Sequence, residues 1–330
     1  MINLVLGATG SLGRAVVKAL VESNETTKAF VRSREKAEQY FKEYENKIEI
    51  VTGNAANEED VLKASANADN IDYCIHIPYQ RWEKEARELL SVSINAAIIS
   101  NAKLIFPGNV YVYGLPDYNP VDEKHPWKAH TKKGKIRIDM ENMLKESKAK
   151  RGLKYTVVRM PDFYGPYVIN EFYEKIFFNA LEGKTIQWFG DLDIPIEFIF
   201  IEDAGKAVVT AALSEKSNGE EYNVPGYSVT TARIFLVEVS RQAGKSSKVK
   251  TLNSAFIIGL GGLFSPLARE FKEMLYLKQV KLILDGEKFK EAFGSIPAAQ
   301  YEDGIAKTLE WARNEKAGSM QFSISKREVI

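Results

Sequence analysis

Cysteine is almost absent, with Cys74 the single example in 330 residues. One thiol excludes an internal disulfide and any zinc site built from several cysteines, and it fits a reducing compartment. Histidine is scarce too. His76, His125 and His130 are too few and too scattered to suggest a metal cluster, so no metal is expected. Neither sign of charge dominates: 45 Lys and Arg face 44 Asp and Glu, a formal net charge of +1. That balance supplies no field to recruit nucleic acid or an anionic membrane, and neither is expected as a partner. Long hydrophobic runs are also missing. The most apolar stretch, residues 252–268, is broken by Asn253, Ser254, three glycines and Pro266. It is read as a buried or pocket-lining segment and not a membrane span. The opening Met1-Ile2-Asn3-Leu4 lacks a basic leader and an apolar core, so a cytoplasmic location is expected.

What is present is a regular alternation. Strand patterns at 2–6, 26–31, 48–51, 72–77, 103–106 and 155–158 are separated by helical patterns near 12–22, 35–44, 58–66, 83–100 and 136–150. Such alternation implies βαβ units, hence an α/β fold with a doubly wound parallel sheet covered on both faces. After Pro166 the rhythm changes. A helix at 170–181, strand-like stretches at 185–189, 194–201 and 221–224, and a helix from Glu202 lead into a mostly helical remainder. The expected division is a dinucleotide-binding domain over 1–165, with 195–225 returning to it, and a smaller substrate lobe from 166–194 and 226–330.

The segment Gly7-Ala8-Thr9-Gly10-Ser11-Leu12-Gly13 follows the first strand directly and opens the first helix. Its G-x-x-G-x-x-G spacing permits a tight turn, close backbone approach to a pyrophosphate, and close helix–strand packing. Backbone N–H groups and the positive helix end then face the phosphates. A glycine triplet alone is weak; here the strand–loop–helix context that the motif demands is satisfied. The second strand ends Val31-Arg32-Ser33-Arg34, where an NAD site usually places Asp or Glu on the ribose 2′-hydroxyl. Arg32 and Ser33 offer donors to a 2′-phosphate instead, which favours NADP(H) over NAD(H). The competing reading is a pair of solvated arginines, or Arg32 stacked on the adenine.

Further motifs carry a resemblance. Val112-Tyr113-Gly114 follows the fifth strand, and Arg159-Met160-Pro161-Asp162-Phe163-Tyr164-Gly165-Pro166 follows the sixth. Then come Phe200-Ile201-Glu202-Asp203-Ala204-Gly205 and the segment 303–311 near the end. Together with the glycine loop these resemble the extended short-chain dehydrogenase/reductase family, the NAD(P)-dependent epimerase/dehydratase group. The resemblance implies a Rossmann sheet of about seven strands, a smaller, mostly helical C-terminal substrate lobe, and a cleft at the carboxyl ends of the strands. It sets Asn54, Ile77 and Pro161 along the cofactor, and implies a homodimer through the 82–100 and 136–150 helices.

The departures bear on chemistry. The family uses Ser/Thr with a Y-x-x-x-K pair, in which Tyr handles the proton and Lys holds the nicotinamide ribose. The segment here is Thr131-Lys132-Lys133-Gly134-Lys135: Lys135 is aligned with the Lys, Thr131 stands where Tyr is expected, and Asn109 occupies the Ser position. Threonine is a far poorer acid than a phenol. Tyr111, Tyr113, Tyr164, His130 and Asp162 are alternative groups at the cleft, each with a packing or solvated role as the competing reading. Tyr111, Asp162 and Tyr164 are assigned to the substrate side, and Tyr113 to catalysis with Lys135, Thr131 and Asn109. Of the basic run Lys132, Lys133, Lys135 and Arg137, only Lys135 has a motif-based reason to point inward. The expected function is an NADP(H)-dependent oxidoreductase or epimerase/dehydratase-like enzyme on a small polar carbonyl or hydroxyl substrate such as a sugar nucleotide. The alternative is a dinucleotide-binding sensor that has lost its chemistry.

Overall fold

The computed structural model describes residues 1–168, 173–252 and 272–325. The first half consists of β1 (Ile2–Leu6), α1 (Ser11–Glu22), β2 (Thr26–Val31), α2 (Arg34–Tyr40), β3 (Ile48–Thr52), α3 (Glu58–Ala64), β4 (Asn70–Tyr73), α4 (Trp82–Ser100), β5 (Lys103–Asn109), α5 (Lys132–Arg151) and β6 (Lys154–Met160). Then follow β7 (Asp162–Tyr164), α6 (Tyr173–Glu182), β8 (Ile186–Phe189), β9 (Pro195–Ile196), β10 (Phe198–Phe200), α7 (Ile201–Ala212) and β11 (Glu220–Asn223). The remainder comprises β12 (Thr230–Thr231), α8 (Ala232–Ala243), β13 (Val249–Leu252), α9 (Glu287–Phe293) and α10 (Tyr301–Ser325).

Seven strands form one sheet in the order β11-β6-β5-β4-β1-β2-β3, every pair parallel. This is the expected doubly wound α/β architecture. Alternate residues feed opposite layers, as the two-residue repeat of a strand requires. Leu4, Leu6, Ile71, Leu104 and Phe106 meet α3, α4 and α5 through Val61, Leu90, Ile94, Met140 and Leu144. Val5, Ala29, Ile105 and Val158 meet α1 and α7 through Val16, Leu20, Ala204 and Val208. A separate aromatic cluster gathers Tyr164, Phe177, Trp188, Phe198, Phe200, Phe235 and Tyr301. The strand order reverses between β1 and β4, the switch point where such sheets leave a crevice at their carboxyl edge.

Three boundaries differ from the sequence pattern. β4 stops at Tyr73 and does not run to Ile77, because the chain leaves the sheet to pass over the glycine loop: a Cβ on Gly7 would sit 2.7 Å from the Cys74 carbonyl oxygen. The stretch 194–201 splits, since β9 pairs antiparallel with β12 while β10 pairs parallel with β7. Between them Glu197 is buried and accepts N–H bonds from Leu284 at 2.8 Å and Gly226 at 3.2 Å. α5 begins at Lys132, four residues before the apolar stripe, because Thr131 caps it by accepting from the Gly134 N–H at 3.1 Å. Nearly all of the apolar stretch 252–268 lies outside the described residues. Among the described residues no helix is long and apolar enough to cross a membrane.

One buried acid lies in the sheet itself. Asp72, paired in register with Val5 and Ile105, is 0% exposed and neither carboxylate oxygen has a hydrogen-bond partner. Burial pushes its carboxyl up to about 7, against a smaller pull downward from Lys103.

Candidate active site

The glycine loop is packed against its own backbone. Gly7 has φ +78°, and a Cβ on Gly13 would run into the Gly7 carbonyl and come within 2.8 Å of the Ala8 Cα. Gly10 donates to the Gly7 carbonyl at 2.9 Å and caps α1 with extended backbone and no side-chain hydrogen bond. No acidic residue occupies the first turn of α1. Among the described residues no side chain caps the first N–H groups of the helix, which open at the switch point in the arrangement that suits an anion. The loop is fastened from outside. The Ser11 hydroxyl donates to the Tyr167 carbonyl at 2.6 Å and Arg14 Nε to the Thr9 carbonyl at 3.1 Å. The Arg14 guanidinium sits 3.3 Å from the Tyr40 ring centre and 4.1 Å from that of Tyr167. Leu12 packs partly buried behind the loop.

At the end of β2 the two arginines separate. Arg34 donates to the Ile50 carbonyl at 2.7 Å and pairs with Glu38 at 3.6 Å. Ser33 caps α2, accepting from the Lys36 N–H at 3.4 Å. Arg32 makes neither hydrogen bond nor ion pair among the described residues, and its exposed side chain borders a cleft of about 690 Å³ with Gly53, Asn54, Arg81 and Lys84. Asn54 is a turn residue there, donating from its N–H to Asp60 at 2.8 Å. Ile77 is buried and its carbonyl accepts from Trp82 Nε1 at 2.8 Å; Pro161 is buried between β6 and β7.

α5 carries two of the residues assigned to catalysis. Thr131 is buried and its hydroxyl oxygen caps the helix, accepting the Gly134 N–H. Lys135 is exposed, on the side of α5 away from the buried Ile136, Met140 and Leu144. The inward face instead carries Lys133, Arg137 and Glu141, one turn apart. Glu141 and Arg159 are both 0% exposed and form a buried ion pair, extended from Arg159 to Glu221 at 2.5 Å and from Glu221 to Lys145 at 2.7 Å. Lys133 is 3% exposed at its side chain and pairs with Glu273 at 2.8 Å. That residue also accepts the Lys133 N–H at 2.9 Å. Arg137 donates to the Pro107 carbonyl at 3.5 Å.

Asn109 lies at the carboxyl end of β5, and its side-chain oxygen accepts from the Tyr111 N–H at 3.1 Å, which leaves the amide NH2 to donate. The Tyr111 hydroxyl meets that of Tyr79 at 2.7 Å, and Lys133 Nζ lies 5.1 Å from the Tyr79 ring centre. Burial first, and Tyr79 second, hold the Tyr111 phenol well above its ordinary range. The other tyrosines depart from expectation. Tyr113 is 0% exposed, donates to Asn223 at 2.7 Å and accepts from Arg159 at 3.4 Å. Burial pushes it up to about 12, and it braces the buried ion pair. Tyr164 sits inside the aromatic cluster, 5.2 Å from Phe235 and 5.5 Å from Phe200 between ring centres, so its ring is core. Asp162 is ion-paired to Lys278. His130 is exposed and its ring lies 4.6 Å from that of Tyr276.

Sequence reasoning did not flag Tyr79 or Glu273, and within the basic run it turned only Lys135 inward and passed over Lys133 and Arg137. A signal for two of them was present: at 100° per residue Lys133 and Arg137 fall on the stripe of Ile136, Met140 and Leu144, and Lys135 falls opposite. Tyr79 and Glu273 come from segments with no motif to flag them.

The glycine loop, the sheet behind it and the strand beyond are matched as one unit: the NAD dependent epimerase/dehydratase family covers residues 3–225. The chain belongs to that family. Its relatives include dTDP-glucose 4,6-dehydratase 1 of Escherichia coli (strain K12), 26% identical over 203 residues that make up 55% of this chain and 49% of that protein. The dTDP-glucose 4,6-dehydratase of Xanthomonas campestris is 24% identical over 211 residues, 61% of this chain and 54% of its own. The chain thus spans about half the length of the curated relatives it matches. Among solved structures, the dTDP-glucose 4,6-dehydratase of Streptomyces venezuelae, with NAD and TYD bound, superposes with a TM-score of 0.78 at 18% identity, covering 96% of this chain and 98% of the other. The UDP-glucuronic acid 4-epimerase of Bacillus cereus in complex with NAD gives 0.78 at 17% identity, covering 95% and 99%. At such identities the likeness is one of fold.

Proposed function

We propose that the protein is an enzyme that binds a nicotinamide dinucleotide over Gly7–Gly13 and acts on a hydroxyl or carbonyl of a sugar nucleotide, with NADP(H) preferred to NAD(H). The observation that carries this reading is the amino end of α1, capped by no side chain among the described residues, above a glycine loop with no room for a Cβ, set at the switch point of the sheet. Family membership and the sugar-nucleotide relatives support the substrate class. The dinucleotide, when bound, supplies the hydride acceptor or donor. The chain's own groups orient the substrate and handle the proton. The NH2 of Asn109 donates to a substrate oxygen, and the Tyr111 hydroxyl, bonded to that of Tyr79, is the phenolic group that handles the proton. The second reading, a sensor without turnover, is favoured by Thr131 serving as a helix cap where the family places its acid.

The NADP(H) preference rests on Arg32, the arginine that β2 leaves without a partner among the described residues and facing the cleft beside Lys84. A charge-assisted contact is worth roughly 1.5–3 kcal/mol, so NADPH should bind at least about tenfold more tightly than NADH, and Arg32→Ala should remove the difference. Titration calorimetry with both cofactors measures it; equal wild-type affinities would end the preference, since the solved relatives named above hold NAD. Nicotinamide absorbance over a panel of sugar nucleotides then separates enzyme from sensor: turnover that Tyr111→Phe abolishes without loss of cofactor affinity supports the enzyme.

A further inference from the structure

Tyr167 holds a backbone conformation that tyrosine seldom takes. Among the described residues the non-glycine positions with positive φ are Asn24, Asn67, Asn101 and Tyr167, the last at +62°. Asparagine enters this left-handed region readily because its short amide bonds locally. A bulky side chain is strained there and stays only where its surroundings hold it. Burial of the ring is not what holds it, since Tyr167 is 36% exposed. Its contacts with α1 are. The Tyr167 carbonyl accepts the Ser11 hydroxyl at 2.6 Å. The ring lies 4.1 Å from the Arg14 guanidinium, which Tyr40 also approaches at 3.3 Å, and it meets Trp311 of α10 at 5.4 Å between ring centres. The next residue, Val168, is buried in a cluster with Ala15 and Ile201, against which Leu12 packs. Two consecutive residues thus reach positions 11, 12, 14 and 15 of α1. Position 13 is the glycine packed on the Gly7 carbonyl. Through Arg14 Nε, which donates to the Thr9 carbonyl at 3.1 Å, the hold extends into the glycine loop itself.

A loop of glycines has no side chains of its own to fix its shape. Any fraction of the chain in which the loop is misplaced lowers the apparent affinity for its ligand by that fraction. We propose that Tyr167 is a positioning residue for the dinucleotide: it clamps the first turn of α1 in the shape that receives the pyrophosphate, acting through Ser11 and Arg14 and not as a ligand. The inference rests on the dinucleotide reading above. The pyrophosphate is common to both cofactors, so the clamp serves NADPH and NADH alike, which sets it apart from Arg32.

The test needs no substrate. Tyr167→Gly keeps the carbonyl that Ser11 uses, takes positive φ without strain, and removes only the ring. Its ligand-free melting temperature should stay near that of wild type, because relief of strain offsets the lost ring contacts. The dissociation constants for NADPH and NADH, read by quenching of tryptophan emission, should both weaken roughly tenfold, as for a loop competent about one-tenth of the time. Tyr167→Phe keeps the ring and should bind both as wild type does. Hydrogen exchange at residues 10–14 of the ligand-free chain should quicken in the Gly variant and not in the Phe variant. Tyr167→Asn, which also accepts positive φ, takes the place of the Gly variant if that does not fold. Wild-type affinity for both cofactors in the folded Gly or Asn variant would overturn the proposal, as would unchanged exchange. A loss confined to NADPH would overturn it too, since that places Tyr167 with the 2′-phosphate and not with the loop. A wild-type protein that binds neither cofactor removes the dinucleotide reading itself, and this assignment with it.

Discussion

The glycine loop and the inward face of α5 are built in opposite ways. The loop works through backbone: Gly7, Gly10 and Gly13 contribute the absence of side chains, and their tolerances are set by the Cys74, Gly7 and Ala8 main-chain atoms around them. The α5 face works through long charged side chains, Lys133, Arg137 and Glu141; Lys133 and Glu141 find partners in distant segments, Glu273 and Arg159, and Arg159 reaches on to Glu221. A site made of backbone tolerates few sequences, so it appears as a motif. A site made of side chains depends on which residues of a helix face inward, and a shift of two residues changes its membership. The difference explains why the first region is recognised by its glycines, whereas in the second the sequence pointed to Lys135 and Thr131 and the structure turns Lys133, Arg137 and Glu141 inward.

The largest expected effect breaks the side-chain half. Glu141→Gln leaves Arg159, at 0% exposure, with Glu221 as its remaining carboxylate, and should destabilise the protein by about 3 kcal/mol. Denaturant unfolding measures it, and Glu141→Leu combined with Arg159→Met should recover most of the loss because neither charge is then stranded. A double variant as unstable as the single one would show that the pair does more than neutralise itself. Next comes the backbone half. Gly13→Ala drives a methyl into the Gly7 carbonyl, and overpacking of this kind costs about 1–3 kcal/mol. Its signature is a dinucleotide affinity that falls further than stability does, since the loop must open to admit the methyl; unchanged affinity would remove the loop from the site.

A third test concerns the sheet beneath both. Asp72 is a carboxyl raised in the fold to about 7, so between about pH 4 and about pH 7 the folded chain holds a proton that the unfolded chain has released, and stability falls as pH rises through that window. Asp72→Asn should flatten this slope, with the variant gaining on wild type toward alkaline pH. Parallel pH profiles of melting temperature for the two proteins would count against it.

Much of the fold was legible because the strands of a covered parallel sheet are short β-branched runs: β1 and β2 were placed to the residue. What escaped was tertiary in origin. β4 is cut short at Tyr73 by the passage over Gly7, and β9 and β10 are parted by Glu197, whose partners at Gly226 and Leu284 lie far along the chain. In the site, Tyr164 follows the expected motif but its ring is claimed by Phe200 and Phe235, and Tyr113 by Asn223. Motif position fixed where these residues attach, and packing decided where their hydroxyls go.

The sheet's last strand has a consequence for how the chain can be divided. β11 pairs with β6 only after the intervening chain has travelled through β7, α6, β8, β9, β10 and α7. A fragment ending at Gly165 would present β6 as an open edge, ready to pair with another chain, and would hold Arg159 without Glu221. It would also lack α7, which covers one face of β1 and β5 through Ala204 and Val208. The chain up to Gly165 is thus not a complete sheet. Its edge strand and part of its cover are supplied by residues 201–223, so ribosomal synthesis must pass residue 223 before the sheet can close.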